Sequence, residues 1–491
     1  MAVPCRRCSK EVLRPERCVV LDGKPCAACT EDIELENEIK ELENMIEKIH
    51  MKRRALRTVM NTNHDFVHKF PPEIASQIFF QCAPSSTSLE MMSPLMFGGV
   101  CQGWRRLAWA TPELWSTLVI GFGSTKSKDY SYLPQLVAEW LERSVSLPLT
   151  LTVVAEQPSF PGDDLYHELT TILNKHSARW FDVHFGIPGP HLHRLCGSSQ
   201  ESMVRRLALV PPTRSFQNRT PGVFPAFSMK HKPSPTTLTL ATFRLTCIDI
   251  LWNNLTGVVM RDMGVDECIE VIRRVPLLEH LELLWTKSSS DIFPIPDARL
   301  SCSQLRLLGL SDIKRETWIE QFLDSVRFPS LESWVYDECA LPLENIMEFI
   351  ENSTFCLKTF TIIGDVHEHV HAVLRPLSSL EVLDVRFRFP SVRPITNLEG
   401  NELLELLCSP DESQSFLPRL HSLIFSSTFP FPWRFLSRIF ACRRSLRVKI
   451  TYNNSRSYHH MTTELADELS ELVDEGFDLT VIEDGRVVIP R

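Results

Sequence analysis

A short apolar phrase returns through the last two-thirds of this 491-residue chain and restricts its fold more than any other feature. The phrase carries apolar residues at its first, fourth and sixth positions. It reads Val204, Leu207, Leu209; then Leu255, Val258, Met260; then Leu278, Leu281, Leu283; then Leu305, Leu308, Leu310. It continues through Leu331, Trp334, Tyr336; Leu357, Phe360, Ile362; Leu380, Leu383, Val385; and Leu420, Leu423, Phe425, with a degenerate copy at Leu446, Val448, Ile450. Positions four and six lie on one side of a strand, because successive side chains alternate across it. One such strand cannot bury its own apolar side, so the copies must stack and share a core.

From Leu255 to Leu380 the copies are 23, 27, 26, 26 and 23 residues apart. That spacing resembles the 20–29-residue period of leucine-rich repeats. The forty-residue step to Leu420 contains an insertion around 397–415, and a Pro-rich stretch near 211–235 is a second insertion. Helical apolar spacing recurs between the strands at Glu267–Val275, Trp318–Val326, Leu343–Glu351 and Val366–Leu374. LPLTLTV (147–153) and WFDVHF (180–185) read as opening strands, and the acidic helix with Leu465, Leu469 and Leu472 as a polar cap. Residues 119–491 are therefore expected to be α/β, a solenoid of short parallel strands alternating with helices. The tryptophans at 285, 318, 334 and 433 are expected to pack its core.

Stacked strands leave one face without helices. On it the pattern places Glu282, Leu284, Ser311, Asp337, Thr361, Asp384, Arg386, Ile424 and Ser426. Glu282, Asp337, Asp384 and Arg386 are the candidate target-binding residues. The mixture of signs fits a protein ligand better than a nucleic-acid backbone.

Ahead of the repeats, residues 66–118 form a second pattern. Pro71 and Pro72 sit where only a helix start tolerates them, and Ile74, Ile78, Phe79 and Cys82 follow at helical spacing. Ser93-Pro94 is another start signal. Beyond it Met96, Val100, Trp104 and Leu107 line one side, with Arg105 and Arg106 opposite. Gly98, Gly99 and Gly103 interrupt this run, each costing a helix about 1 kcal/mol relative to alanine. A unit of about fifty residues is small to cover its own apolar surface.

These residues resemble the F-box: Phe70 (in place of the usual leucine), Pro71, Glu73 and Ile74; Ile78 with Phe79; Val100, Cys101 and Trp104; Leu114 with Trp115. The resemblance implies docking on the Skp adaptor of cullin-based (SCF-type) ubiquitin ligases. Phe70, Pro71, Ile74, Ile78, Phe79, Val100, Trp104, Leu114 and Trp115 would then carry the adaptor interface or the core beneath it. The wider arrangement is similar to fungal F-box proteins with a helical N-terminus and a leucine-rich C-terminal half.

Residues 1–30 hold Cys5-x2-Cys8 and, after seventeen residues, Cys26-x2-Cys29, the spacing of a four-cysteine structural zinc site. A two-zinc RING domain would need eight ligands, more than this segment supplies. Residues 31–62 read as a helix whose Leu35, Ile39, Leu42, Ile46, Ile49, Leu56 and Met60 keep a heptad seam, broken by Arg53. Two readings stay open for it: a homodimer through 31–60, or folding back on the helices that follow.

Fifteen scattered cysteines, a polar start (MAVPCRRCSK) and no apolar run near 18 residues suggest a reducing compartment, cytoplasm or nucleus, and no membrane. The net charge of −9 speaks against a nucleic-acid footprint over the whole chain. No G-x-S-x-G, phosphate-binding loop or dinucleotide fingerprint occurs, and VHEHVH (366–371) lacks the HExxH order. The expected function is that of a non-enzymatic substrate receptor, with a non-ligase repeat scaffold dimerising through its N-terminal helix as the alternative. Metal analysis of residues 1–62 should find one zinc per chain, lost in Cys26→Ser; a metal-free wild-type segment would remove the zinc site.

Overall fold

The structure is a computed structural model of the chain. It describes residues 3–4, 11–12, 27–64, 67, 69–82, 93–122, 130–155, 162–198, 200–212, 227–312, 318–338, 341–364, 370–386, 399–409, 416–427, 431–452 and 463–489. These divide into two compact units, one from 1–84 with 92–114, the other chiefly Trp115–Arg491.

In the first unit, α1 (Ala27–His64) is a single 38-residue helix. After it come α2 (Pro72–Cys82), α3 (Ser93–Val100) and α4 (Gln102–Trp109). Pro72 opens α2, and the Pro71 carbonyl accepts from the Ile74 and Ala75 amides at 3.0 and 3.1 Å. Extended backbone at Cys101 separates α3 from α4. The Cys101 Sγ accepts from the Trp104 amide at 3.5 Å as an N-cap, and Arg105 Nε donates to the Gly98 carbonyl at 2.8 Å. Gly98 is required here: a Cβ on it would stand 2.1 Å from the Trp109 ring. The lost helix propensity is thus the cost of close packing between α3 and α4. Phe79 stacks on Phe97 at 4.5 Å and lies 4.9 Å from Trp104, which closes a small aromatic core.

The second unit is mixed α/β and holds one fifteen-stranded sheet, parallel except for its last pair and not closed into a barrel. Its strands are β1 (Thr117–Phe122), β2 (Leu149–Ala155), β3 (Trp180–Gly186), β4 (Arg206–Leu209), β5 (Thr237–Ala241), β6 (Gly257–Arg261), β7 (His280–Leu284) and β8 (Leu307–Asp312). They continue with β9 (Ser333–Glu338), β10 (Thr359–Ile363), β11 (Val382–Arg386), β12 (Ser422–Ser427), β13 (Arg447–Tyr452), β14 (Leu479–Glu483) and β15 (Arg486–Ile489). Every strand pairs with its neighbours in chain order. Between them run α5 (Leu133–Arg143), α6 (Asp163–Lys175), α7 (Gly189–Leu192), α8 (Val265–Arg274), α9 (Trp318–Ser325) and α10 (Leu343–Ser353). The last are α11 (Val370–Leu374), α12 (Glu399–Cys408), α13 (Leu436–Cys442) and α14 (Thr463–Asp474). From α8 to α13 each helix packs on the next.

The pairing register lines up the apolar phrase. Val258, Leu281, Leu308, Trp334, Phe360, Leu383, Leu423 and Val448 stand side by side across eight strands, all buried. Aromatics fill the interior around β9, where Trp334 meets Phe349 at 5.5 Å and Phe360 at 5.1 Å. A half-buried arginine ties α5 to the chain after α6: Arg179 donates to Ser144 Oγ at 2.9 Å and to the Leu141 carbonyl at 2.9 Å.

Three placements differ from the sequence reading. Trp115, grouped there with the adaptor residues, opens the second unit and is fully buried, edge-on to Trp140 at 4.9 Å. Trp115, Leu118 and Ile120 repeat the one-four-six phrase, so the sheet starts one copy earlier than expected. β5 went unread because buried Pro235 holds the first position of its copy, ahead of Leu238 and Leu240. The insertion around 397–415 contains α12. The helix expected over 366–374 is described only at 370–374, its start lying outside the described residues.

The shared core makes a sharp contrast between the two sides of one strand pair. Leu308→Ala should lower unfolding stability by about 2–5 kcal/mol, while Glu282→Ala, exposed on the neighbouring strand, should change it by less than about 0.5 kcal/mol. Urea titration of the two variants measures both.

Candidate functional site

On the sheet, residues between the buried positions form rows. Glu282, Thr361, Asp384 and Ile424 share one row, and Leu284, Ser311, Asp337, Arg386 and Ser426 share the next. The register therefore brings the candidate target-binding residues together on two adjacent rows. Their exposure is unequal. Glu282 and Arg386 are open to solvent, but Asp337 and Asp384 are buried. Asp384 accepts three hydrogen bonds from Arg386, the closest 2.6 Å, and Asp337 accepts from the Ser311 hydroxyl at 2.9 Å. The hydrogen bonds it donates to Asp384 hold the Arg386 guanidinium above its usual range, outweighing the effect of its partial burial. Asp384 thus serves to aim Arg386, and the side chain that reaches outward is the arginine.

A residue the periodicity did not assign to this surface stands at its edge. Trp285, expected in the core, is 39% exposed, whereas Trp318 and Trp334 are buried as expected. It follows the last residue of β7 in left-handed backbone, φ +53°, and its amide donates to the Ser311 carbonyl at 2.7 Å. The same geometry ends the two preceding strands. Asp262 (φ +57°) donates to the Leu284 carbonyl at 2.8 Å, and Thr242 (φ +63°) to the Arg261 carbonyl at 2.9 Å. Such backbone is unfavourable for branched and bulky residues, at a cost of about 1–3 kcal/mol each. Three consecutive copies carry it, and the turn at 285 swings the indole out of the core. Arg261 lies over its ring at 5.1 Å, a cation–π contact at the end of the Arg261–Leu284–Ser311 row. Arg261 was readable as the residue after Met260; Trp285 was not, because a strand pattern carries no sign of a left-handed turn.

Beside this edge an open recess of about 150 Å³ is lined by Thr242, Arg244, Asp262, Glu267, Lys287 and Ser290, among others. Two of its charged groups have partners within it. Lys287 Nζ meets Asp262 Oδ1 at 2.6 Å, and the Leu245 amide donates to Glu267 at 2.8 Å. Burial raises the Glu267 carboxyl above its usual range despite that hydrogen bond. Asp266, in the first turn of α8, accepts from Ser290 and from the Ile292 and Phe293 amides; these bonds outweigh burial and lower its pKa. Burial holds the nearby Cys268 thiol far above its normal range, so it offers no thiolate.

In the first unit, the adaptor candidates separate into two sets. Phe79 and Leu114 are buried, and Ile78 and Trp104 are partly covered. Phe70, Pro71, Ile74 and Val100 are open, joined by Phe80 and Met96. Exposure of the large apolar groups runs from 45% at Phe80 to 61% at Met96. Helical geometry explains the division. Ala75 and Phe79 are four apart and face Phe97 and Trp104, while Ile74 leads the opposite flank of α2.

Of the four zinc candidates, Cys5, Cys8 and Cys26 lie outside the described residues, as does the Cys29 side chain. Among the described residues no group of three or more His, Cys, Asp or Glu side chains could hold a metal ion. His371 faces Glu402 at 3.1 Å, and residues 366–369 of VHEHVH fall outside the described residues. No described helix is long and apolar enough to cross a membrane. No family model matches the chain, and no curated protein matches its sequence.

Proposed function

We propose that this protein is the substrate receptor of a cullin-based, SCF-type ubiquitin ligase, docking on the Skp adaptor through the first helical unit and holding a target protein on its sheet. The observation that carries the reading is the open apolar side of the first helical unit. Phe70, Ile74, Phe80, Met96 and Val100 stay exposed although Phe79, Phe97 and Trp104 fill an aromatic core behind them. Large apolar surface left out of a filled core marks a place for a partner. The resemblance of Phe70, Ile74 and Val100, among others, to the F-box names that partner. The chain would act by positioning, bringing a target close to a charged ubiquitin-carrying enzyme, with the chemistry supplied elsewhere.

The sheet is read as a leucine-rich-repeat solenoid. Support comes from strands paired strictly in chain order, a phrase in register and helices packed in series. Its helix-free rows offer Arg261, Glu282, Trp285 and Arg386, a set with the aromatic and arginine content of protein-binding hot spots. A scaffold without ligase function is the second reading, favoured by the open seam of α1.

Co-expression with the Skp adaptor tests the first role. Wild-type chain should co-purify with it, and Ile74→Asp, at an exposed position, should abolish co-purification while leaving thermal unfolding unchanged. Retention by Ile74→Asp, or no association at all, favours the scaffold. Trp285→Ala should weaken target capture about tenfold or more with adaptor binding unaltered, read by quantitative affinity capture; equal capture would remove Trp285 from the target surface.

A further inference from the structure

The long first helix presents a second apolar surface, separate from the one on α2 and α3. Leu35, Leu42, Ile49 and Leu56 recur every seven residues, as do Ile39, Ile46 and Met60. All seven are more than half exposed, from 52% at Leu35 to 64% at Leu56. Among the described residues, nothing covers the seam. At about 1.5 Å per residue the helix is about 57 Å long, and four heptads are enough for a coiled coil. The leucine-led series occupies position d and the isoleucine-led series position a, with Arg53 taking one a place.

The flanking charges select the orientation. Glu36, Glu43, His50 and Arg57 hold position e; Glu38 and Lys52 hold position g. In a parallel pair each g residue meets the e residue five places on. That sets Glu31 against Glu36, Glu38 against Glu43, and Lys52 against Arg57, all like-charged, with Arg53 facing its own copy. In an antiparallel pair e meets e and each a layer meets a d layer. Four layers then form, counted from either end: Leu35 with Met60, Ile39 with Leu56, Leu42 with Arg53, and Ile46 with Ile49. In that register Glu36 of one copy meets Arg57 of the other, and Glu43 meets His50. Arg53 lies across from Leu42, beside Glu43, with its aliphatic stem on the seam. No like-charged pair remains at these positions.

We propose that α1 pairs with α1 of a second copy of this chain as an antiparallel coiled coil, centred between Ile46 and Ile49. The occupant is a second copy because the helix is acidic early and basic late, so that two copies complement each other only when reversed.

Sedimentation equilibrium of the full chain tests this, with circular dichroism to check helicity. The wild type should be a dimer and Ile46→Asp a monomer. The orientation has its own readout, because one substitution acts oppositely in the two arrangements. Arg57→Glu puts Glu36 against a glutamate in the antiparallel pair, and should weaken the dimer about tenfold. In a parallel pair it would instead oppose Lys52 and tighten the dimer. Glu36→Lys combined with Arg57→Glu should restore wild-type affinity. A monomeric wild type, a dimer that survives Ile46→Asp, or a dimer unchanged or tightened by Arg57→Glu would each overturn the proposal.

Discussion

The second unit depends on neighbouring strands sharing the burial of alternate side chains. No strand of five or six residues can shield Leu281 or Leu308 by itself. Each becomes solvent-free only because the next copy presents an apolar residue at the same register position. Burying one such side chain contributes about 1.5–3 kcal/mol, and the helices packed in series close the other side of the layer. Stability in such an array is a sum of neighbour terms. The outward rows can therefore vary without disturbing the stack, and a recognition surface is free to form there.

Much of this was legible because the phrase is short and its spacing regular. Copies with leucine at the first position were readable, down to the rows on which Glu282 and Arg386 stand. The copy led by Val204 was readable too, but two escaped where a proline or a tryptophan took the first place: Pro235 ahead of β5 and Trp115 ahead of β1. Both are apolar and both are buried, so the physics held where the letter changed. Trp115 had been read as part of the preceding helical unit because Leu-Trp also closes the F-box pattern. Backbone handedness was not legible. The left-handed residues Thr242, Asp262 and Trp285 are neither glycine nor asparagine, and only the structure shows that they carry the chain out of three consecutive strands.

The charged candidates teach a related point. Asp337 and Asp384 occupy outward rows by register yet are buried, and Asp384 is spent on fixing Arg386. A strand pattern assigns a side chain to a face but says nothing of its neighbours on that face. The surface that results is led by an aromatic ring and guanidinium groups, with Glu282 as the open acid. In the first unit Gly98, which lowers helix propensity, is required by the Trp109 ring. Tight closure of that small core leaves Phe70, Ile74, Met96 and Val100 facing outward.

The central claim is that this open helical face, and not the sheet, receives the Skp adaptor. Hydrogen–deuterium exchange of the full chain with and without the adaptor measures it directly, because docking slows local opening of the elements it covers. The account predicts slowed exchange in α2 and α3, with strands β6 to β11 unchanged. Slowing confined to the strands, or no change anywhere at saturating adaptor, would contradict it.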